Sequence, residues 1–183
     1  MEPDPLVALQ NGDPEPFEAW VRQDASSFLA FFRRLGASRA ESEDLAQEVF
    51  LKVFRNREHY QPTGRFRAFA FRIARNAWID HRRRGSVRPP SATGGDDEEV
   101  RPPVPDDAPL PDEHASRREQ AGRVRAALAQ LSEGHRMVFE LGIQQELPYS
   151  EISGLLGIPE GTVKSRMFHA VRKLREILEG GQA

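Results

Sequence analysis

The stretch "SEISGLLGIPEGTVKSRMFHAVRKLREIL", residues 150–178, decides the fold class of this sequence. Residues 150–156 have the length of a short helix, and residues 157–159 form a connection that contains Gly and Pro. The stretch then ends in a longer amphipathic helix. The period of about 3.6 residues in the longer helix predicts a core-facing stripe of Val163, Met167, Ala170, Val171, Leu174, Ile177 and Leu178. A short helix, a tight turn and a helix with a basic outer face indicate a helix-turn-helix.

Phe168 is the unusual residue of this helix, because it falls outside the apolar stripe and among polar neighbours. In a helix-turn-helix, outward side chains of the second helix enter the DNA major groove, where an apolar group can contact a thymine methyl. The predicted base-facing residues are Thr162, Lys164, Ser165, Phe168 and His169. The predicted phosphate contacts are Arg166, Arg172 and Lys173. A plain surface helix in a small bundle fits the pattern as well, so both interpretations stay open at this point.

The charge of the chain is unevenly distributed, although its net charge is only −2 over 183 residues. Residues 64–88 carry eight arginines against one aspartate, whereas residues 89–113 carry eight acids against one arginine. The segment at residues 85–114 is rich in Pro, Gly and Asp and has almost no large apolar side chains, which predicts a flexible linker. We therefore predict an all-α chain with two small helical domains joined by a flexible Pro/Asp-rich linker.

Helical patterns are present on both sides of this linker. The predicted helices of the first half span residues 14–23, 25–35, 40–56 and 65–84. Those of the second half span residues 116–131, 133–145, 150–156 and the helix that begins at Glu160.

Several function classes find no support in the sequence. No cysteine is present, and the five histidines lack the spacing of a metal site, so we expect no metal, no cofactor and no catalytic constellation. The acidic N-terminus has no apolar core of a signal peptide, and no apolar run approaches the roughly 20 residues of a membrane span. We expect a cytoplasmic protein without membrane insertion that is not an enzyme.

The predicted helix at residues 40–56 has one apolar stripe and one mixed face. The stripe consists of Leu45, Ala46, Val49, Phe50 and Val53. The opposite face groups Asp44, Gln47, Glu48, Leu51 and Arg55. Carboxylates and an amide around an exposed leucine are typical of a protein-binding surface. A solvated face with a single stray leucine is the alternative.

The predicted helix at residues 65–84 carries two kinds of side chain. Its core-facing residues are Phe66, Phe69, Ala70, Ile73 and Ala77, and its other side interleaves Phe71, Arg75, Trp78 and Arg82. Basic and aromatic groups in alternation suit single-stranded nucleic acid. For Phe71 and Trp78, packing against a neighbouring helix is the favoured interpretation. The run "HRRRGSVR", residues 81–88, is predicted to contact phosphates.

Three segments together resemble a known family. These are "SEDLAQEVFLKVFR" (residues 42–55), "FRAFAFRIARNAWIDHRRR" (66–84) and "YSEISGLLGIPEGTVKSRMFHAVRKLRE" (149–176). In this order and at these separations they resemble an extracytoplasmic-function (ECF) sigma factor of bacterial RNA polymerase. The resemblance implies a region 2-like domain at residues 1–88, an acidic linker at 89–114 and a region 4-like domain at 115–183.

The resemblance also implies partners for each surface. The clamp helices of core RNA polymerase would bind Asp44, Gln47, Glu48 and Leu51, and the flap tip would meet the second domain. That domain would read the duplex minus-thirty-five element through the predicted helix-turn-helix. The melted minus-ten strand would contact the first domain, and a flipped base would be held by the loop at residues 60–66 and by Asn76. The implied minus-ten residues are Tyr60, Gln61, Thr63, Phe66, Arg72, Arg75, Asn76, Arg82, Arg83 and Arg84.

Two positions depart from the family pattern. His169 stands where many members carry arginine, so its contact with DNA is expected to depend on pH. The minus-ten loop "YQPTGRF" contains Pro62 and differs from the usual acidic version. Because the chain ends soon after the recognition helix, we expect control by a separate anti-sigma factor. A stand-alone helix-turn-helix regulator and a helical protein-interaction adaptor are the alternatives.

Overall fold

The computed structural model describes residues 4–86 and 122–180. Over these two ranges the chain is helical and contains no strand, which confirms the predicted all-α class. It separates into two compact units. Of the described residues, the first unit holds 4–33 and 39–86, and the second holds 34–38 and 122–180. The whole of the predicted acidic linker, residues 89–114, lies outside the described residues.

The described part of the first unit contains four helices and one short 3-10 turn. They are α1 (Pro5–Gln10), α2 (Glu15–Leu35, whose last two residues group with the second unit), α3 (Arg39–Arg55), the 3-10 turn (Arg57–His59) and α4 (Phe66–Ser86). The predicted break between a helix at residues 14–23 and another at 25–35 is wrong, because α2 runs without interruption from Glu15 to Leu35. The helix α1 was not predicted. It starts with Asp4 as N-cap and Pro5 in the first turn, a favourable pair for helix initiation.

Aromatic rings from three helices form the core of the first unit. The Phe28 and Phe71 rings stack at 4.7 Å, and the Trp20 ring meets those of Phe50 and Phe66 edge to face at 5.1 and 4.8 Å. Such geometries add to the free energy of burying the rings. Phe71 and Trp78 are both buried, and the stacking of Phe71 on Phe28 of α2 confirms the predicted packing on a neighbouring helix for Phe71.

The second unit contains α5 (residues 122–129), α6 (Glu133–Phe139), a π-helical turn (Glu140–Gln144), α7 (Tyr149–Leu156) and α8 (Glu160–Gly180). In α8 the predicted stripe is buried at Val163, Met167, Ala170 and Leu174. Val171 is an exception, since 37% of it is exposed. The start of the predicted helix at residues 116–131 lies outside the described residues.

A tight turn joins α7 to α8, as the sequence predicted. Gly157 ends α7 in the left-handed conformation with φ of 68°, which a residue without Cβ adopts at little cost. The Ser153 hydroxyl donates to the Ile158 carbonyl at 2.7 Å and fixes the turn from the side. Pro159 then precedes the first residue of α8. Within the described ranges, no helix combines the length and apolar composition that a membrane-spanning segment requires.

Glu140 is a carboxyl group buried in the second unit. Burial raises its pKa to about 7, against the opposing effects of Arg34 and Arg136. Arg34 Nε donates to both carboxylate oxygens at 2.7 Å. This ion pair offsets only part of the cost of removing the charge from water.

We expect Glu140 to make the stability of the protein depend on pH. A carboxyl whose folded-state pKa lies above its unfolded value of 4.5 stabilises the fold most below pH 4.5, and this contribution is lost as the pH rises through about 7. Urea unfolding followed by circular dichroism at about pH 5 and pH 8 should show this loss. From about pH 5 to pH 8, the free energy of unfolding of the wild type should fall by up to about 3 kcal/mol more than that of Glu140→Gln. The exposed-residue control Glu179→Gln should track the wild type, and equal pH slopes for wild type and Glu140→Gln would contradict the assignment.

Candidate nucleic-acid and polymerase interface

The outer face of α8 presents Phe168 to solvent. Its side chain is 64% exposed, with the His169 ring at 5.6 Å and the Arg172 guanidinium 6.0 Å from the ring centre. An apolar ring held in the open next to two basic groups is suited to the edge of a base pair with a phosphate nearby. The ring does not belong to the core of the second unit.

The other predicted residues of α8 divide into exposed and half-buried groups. Exposed are Lys164, Ser165, His169, Arg172 and Lys173, and half-buried are Thr162 and Arg166. Lys164 and Arg172 each pair with a glutamate of the same helix, at 2.9 and 3.6 Å. The hydrogen bond to Glu160 raises the pKa of Lys164. Of these two cations, Arg172 is the one whose distance to Phe168 is short, with its guanidinium 6.0 Å from the centre of the ring.

Arg166 points toward α6 rather than outward. A Cβ atom added to Gly134 would lie 3.1 Å from an Arg166 guanidinium nitrogen, so this position accepts the guanidinium because it lacks a side chain. A phosphate contact by Arg166 stays a prediction, and it would have to be made from this side of the helix.

A basic groove of about 440 Å³ opens beside α8. Its lining includes His135, His169, Arg172 and Lys173. The rings of His135 and His169 lie 6.1 Å apart, nearly perpendicular. Burial lowers the pKa of His135, and the charges of Arg166 and His169 lower it further. His135 was not predicted as a site residue, since a lone histidine at the start of a helix carries no sequence signal.

The mixed face of α3 is exposed as predicted. Asp44 and Gln47 are exposed, Glu48 is half-buried, and Leu51 is 54% exposed. Phe54 extends the same face at 41% exposure, with the Arg57 guanidinium 4.3 Å from its ring centre. The underlying stripe of Leu45, Ala46, Val49 and Val53 is buried, which orients the helix.

Glu48 connects the α3 face to the basic end of α4. Its carboxylate lies 2.7 Å from Lys52 Nζ and 3.9 Å from a guanidinium nitrogen of Arg84. Arg84 was predicted to bind the minus-ten strand, so a predicted polymerase contact and a predicted DNA contact are neighbours here.

The outer side of α4 carries most of the predicted minus-ten residues. Arg72, Asn76, Arg83 and Arg84 are exposed, while Arg75 and Arg82 are half-buried. Arg75 donates to the Asn76 side-chain oxygen at 3.4 Å, and the Arg82 guanidinium lies 5.9 Å from the centre of the Trp78 ring. In the preceding loop, residues 61–65 are exposed, and Gln61 and Thr63 are therefore accessible.

Tyr60 requires a correction. Its side chain is only 6% exposed, so in this structure it is not available for direct contact with a base. The ring packs on that of Phe69 at 4.9 Å, and the hydroxyl donates to Asp4 Oδ2 at 2.6 Å. Phe66 is half-buried against Trp20 and is accessible only in part. Prediction from the resemblance missed Asp4, although an Asp-Pro pair before an apolar helix is a recognisable N-terminal signal.

Two protein-family models match this chain. The model of Sigma-70 region 2 matches residues 20–87, and the model of Sigma-70 region 4 matches residues 121–174. The first match covers α3 and α4, and the second covers the helix-turn-helix.

Sequence relatives match nearly the whole chain. It is 35% identical over 173 residues to the ECF RNA polymerase sigma factor SigE of Mycolicibacterium smegmatis, covering 91% of this chain and 64% of that relative. It is 37% identical over 158 residues to the ECF RNA polymerase sigma factor SigL of Mycobacterium tuberculosis, covering 86% and 85% of the two chains.

Two solved structures share the fold. CnrH in complex with the cytosolic domain of CnrY has a TM-score of 0.69 at 24% identity and covers 97% of both chains. The sigma factor RpoE in complex with the anti-sigma factor NepR from Bartonella quintana has a TM-score of 0.66 at 20% identity, covering 89% of this chain and 96% of that one. Both region models occur in the expected order, and the SigL relative is similar over most of its length. This chain belongs to the extracytoplasmic-function sigma factors of RNA polymerase.

Proposed function

We propose that this chain is a dissociable specificity subunit that binds core RNA polymerase and directs initiation at particular promoters. The observation that carries the proposal is that a chain with both sigma regions exposes Phe168 at 64% among the polar residues of its recognition helix. The chain itself would act in the cytoplasm and supply no catalytic group, since nucleotide addition belongs to the polymerase.

In the proposed complex, α8 enters the major groove of the minus-thirty-five duplex. Ser165, Phe168 and His169 are exposed on one side of the helix and are the candidate base contacts. Arg172 and Lys173 lie next to them, at the edge of the basic groove, and are placed for phosphates. The contribution of these phosphate contacts to DNA affinity should fall steeply as the salt concentration rises.

The first unit would act on DNA that is already melted. Exposed Arg72, Arg83 and Arg84 form a basic surface along α4 for a single strand. Asn76 and the loop at residues 61–65 would hold one base out of the stack. Burial of Phe71 and Trp78 argues that neither aromatic ring stacks on bases.

Regulation by an anti-sigma factor is part of the proposal. Both of the solved structures named above are complexes, one with the cytosolic domain of CnrY and one with the anti-sigma factor NepR. We propose that a protein of this kind covers the α3 face or the α8 face and competes with polymerase or DNA. The predicted contact of the second unit with the flap tip remains part of the same model.

Promoter-dependent transcription with purified core RNA polymerase tests the function most directly. Core polymerase with this chain should start transcripts at specific sites in a genomic library from the source organism, whereas core polymerase alone should not. Specific duplex binding without core polymerase, together with no transcription from any promoter, would favour the stand-alone regulator. Association with core polymerase without any effect on promoter choice would favour the adaptor.

Phe168→Ala is expected to weaken binding to the minus-thirty-five duplex by about 1–3 kcal/mol and to relax base preference at the contacted position. The cause is loss of the apolar contact, and thermal stability should be unchanged because the ring is 64% exposed. Fluorescence anisotropy with duplexes that carry each base pair at that position measures both effects. Ile143→Ala removes a side chain of the same unit that is 48% exposed and serves as the control. Unchanged DNA affinity in the Phe168 variant would exclude the contact.

A further inference from the structure

The short helix α1 is bonded to the segment that enters the predicted minus-ten loop. The Asp4 carboxylate uses one oxygen to accept from the Leu6 backbone N–H at 3.1 Å, which caps α1. Its other oxygen accepts from the Tyr60 hydroxyl at 2.6 Å. One side chain therefore fixes the start of α1 and a residue 56 positions later in the chain.

Gln10 makes the second connection, from the other end of α1. Its side-chain amide donates to the Tyr60 carbonyl at 3.1 Å and also to the Arg57 carbonyl. Both carbonyls belong to the 3-10 turn and its C-cap, immediately before the loop. The two ends of α1 thus hold Tyr60 through its hydroxyl and its backbone.

Tyr60 is fixed by packing as well as by these bonds. Its ring lies 4.9 Å from Phe69 and 6.1 Å from Phe66, so it rests on the first turn of α4. Burial raises the pKa of the phenol and the Asp4 carboxylate raises it further, so the hydroxyl remains a donor at any physiological pH. A hydrogen bond from a hydroxyl to a carboxylate is among the stronger kinds in proteins.

The exposed loop spans only residues 61–65, between Tyr60 and the start of α4 at Phe66. A short segment between two fixed ends has few accessible conformations. A shift of Tyr60 would therefore move Gln61 and Thr63 directly. Their positions are what determines which base a loop of this kind accepts, because discrimination depends on hydrogen-bond geometry.

We propose that Asp4 and Gln10 are positioning residues that set the conformation of the minus-ten loop, and through it the preference for the flipped base. The inference rests on the proposed function of that loop. It assigns a role to α1, which lies outside both matched regions. Tyr60 transmits the effect and does not itself touch the base.

The test uses core polymerase loaded with full-length variants and single-stranded minus-ten oligonucleotides that carry each of the four bases at the flipped position. Tyr60→Phe removes only the hydroxyl and keeps the packed ring, and Asp4→Ala removes the carboxylate that accepts from this hydroxyl. Gln10→Ala removes the hydrogen bonds to the backbone carbonyls of Arg57 and Tyr60. The control is Asp13→Ala, because Asp13 also caps a helix, accepting from the Glu15 N–H at 3.1 Å, but at the start of α2.

We expect Tyr60→Phe and Asp4→Ala to reduce the ratio between the best and the worst base by roughly threefold to tenfold. The double variant should lose no more than the larger single effect, because both changes remove the same bond. Gln10→Ala should reduce the ratio as well. Affinity for core polymerase and for the minus-thirty-five duplex should stay within about twofold of wild type, a selectivity that general destabilisation would not produce.

Two results would overturn the inference while leaving the proposed function of the loop intact. One is an unchanged base preference in Tyr60→Phe and Asp4→Ala while wild-type holoenzyme binds the strand. The other is an equal loss in the Asp13→Ala control. If the wild-type holoenzyme binds no minus-ten strand of any sequence, the proposed function of the loop fails and the inference falls with it.

Discussion

An Arg136→Met variant is expected to lower the free energy of unfolding of the second unit by about 2–4 kcal/mol. The Arg136 guanidinium donates to three backbone carbonyls, those of Leu35, Ala129 and Leu131, each at 3.0 Å. Ala129 ends the helical run of α5, and the carbonyls at a helix end have no partner within the helix. Methionine retains the apolar part of the side chain but leaves these acceptors without the charged donor.

The two tryptophans make this prediction specific to one unit. Trp20 and Trp78 both lie in the first unit, so their fluorescence reports on that unit alone, whereas circular dichroism reports on all helices. In urea, Arg136→Met should shift the dichroism transition and leave the fluorescence midpoint nearly unchanged. The exposed-residue control Arg123→Met should change neither by more than about 0.5 kcal/mol. A dichroism transition that coincides with that of the wild type would show that the three bonds contribute little net stability.

The sequence predicted the helices whose apolar residues face one core. In α3 the period-3.6 stripe placed Leu45, Val49 and Val53 correctly in the interior, and in α8 it placed Val163 and Met167 correctly. Val171 was misplaced because it lies at the margin of the stripe, where a small rotation of the helix decides exposure. Periodicity fixes the centre of a buried face better than its edges.

Features that depend on distant contacts could not be predicted. The helix α1 has six residues, too few to be stable alone, and its side chains bond to residues about 50 positions away. The π-helical turn that follows α6 has no local pattern in the sequence. Burial of Glu140 is likewise invisible, because its partner Arg34 is 106 residues away.

For the candidate site, the sequence predicted the exposed faces of the helices better than the roles of individual residues. The resemblance assigned Tyr60 to the minus-ten strand by its position, yet its hydroxyl is bonded to Asp4 and its ring is buried. Phe168, by contrast, was singled out by its position off the apolar stripe, and the structure confirms that it is exposed. The helical pattern predicts whether a side chain is exposed. A role assigned by resemblance does not predict the contacts that the residue makes in this chain.

The second large effect is expected at the α3 face. Asp44→Arg should weaken binding to core RNA polymerase by about 30- to 100-fold, roughly 2–3 kcal/mol. The change replaces an exposed acid by a base at the centre of the proposed clamp contact, so an attraction becomes a repulsion. Asp44 is the better position for this test, because reversing Glu48 would also repel Lys52 and Arg84 within the chain.

Leu51→Ala probes the apolar part of the same contact. Leu51 is 54% exposed in the free chain, so its loss should leave stability unchanged while it weakens polymerase binding by about tenfold, near 1.4 kcal/mol. Glu43→Arg is the matched charge reversal, since Glu43 is the exposed neighbour of Asp44 and is not one of the four proposed contact residues. It also breaks an exposed ion pair with Arg39 at 3.0 Å, which contributes little to stability. Competition for fluorescently labelled wild-type chain on core polymerase measures all three variants. Asp44→Arg should compete worst, Leu51→Ala next, and Glu43→Arg like the wild type. Equal losses for the two charge reversals would mean that net charge governs binding and would remove the basis for assigning the clamp contact to this face.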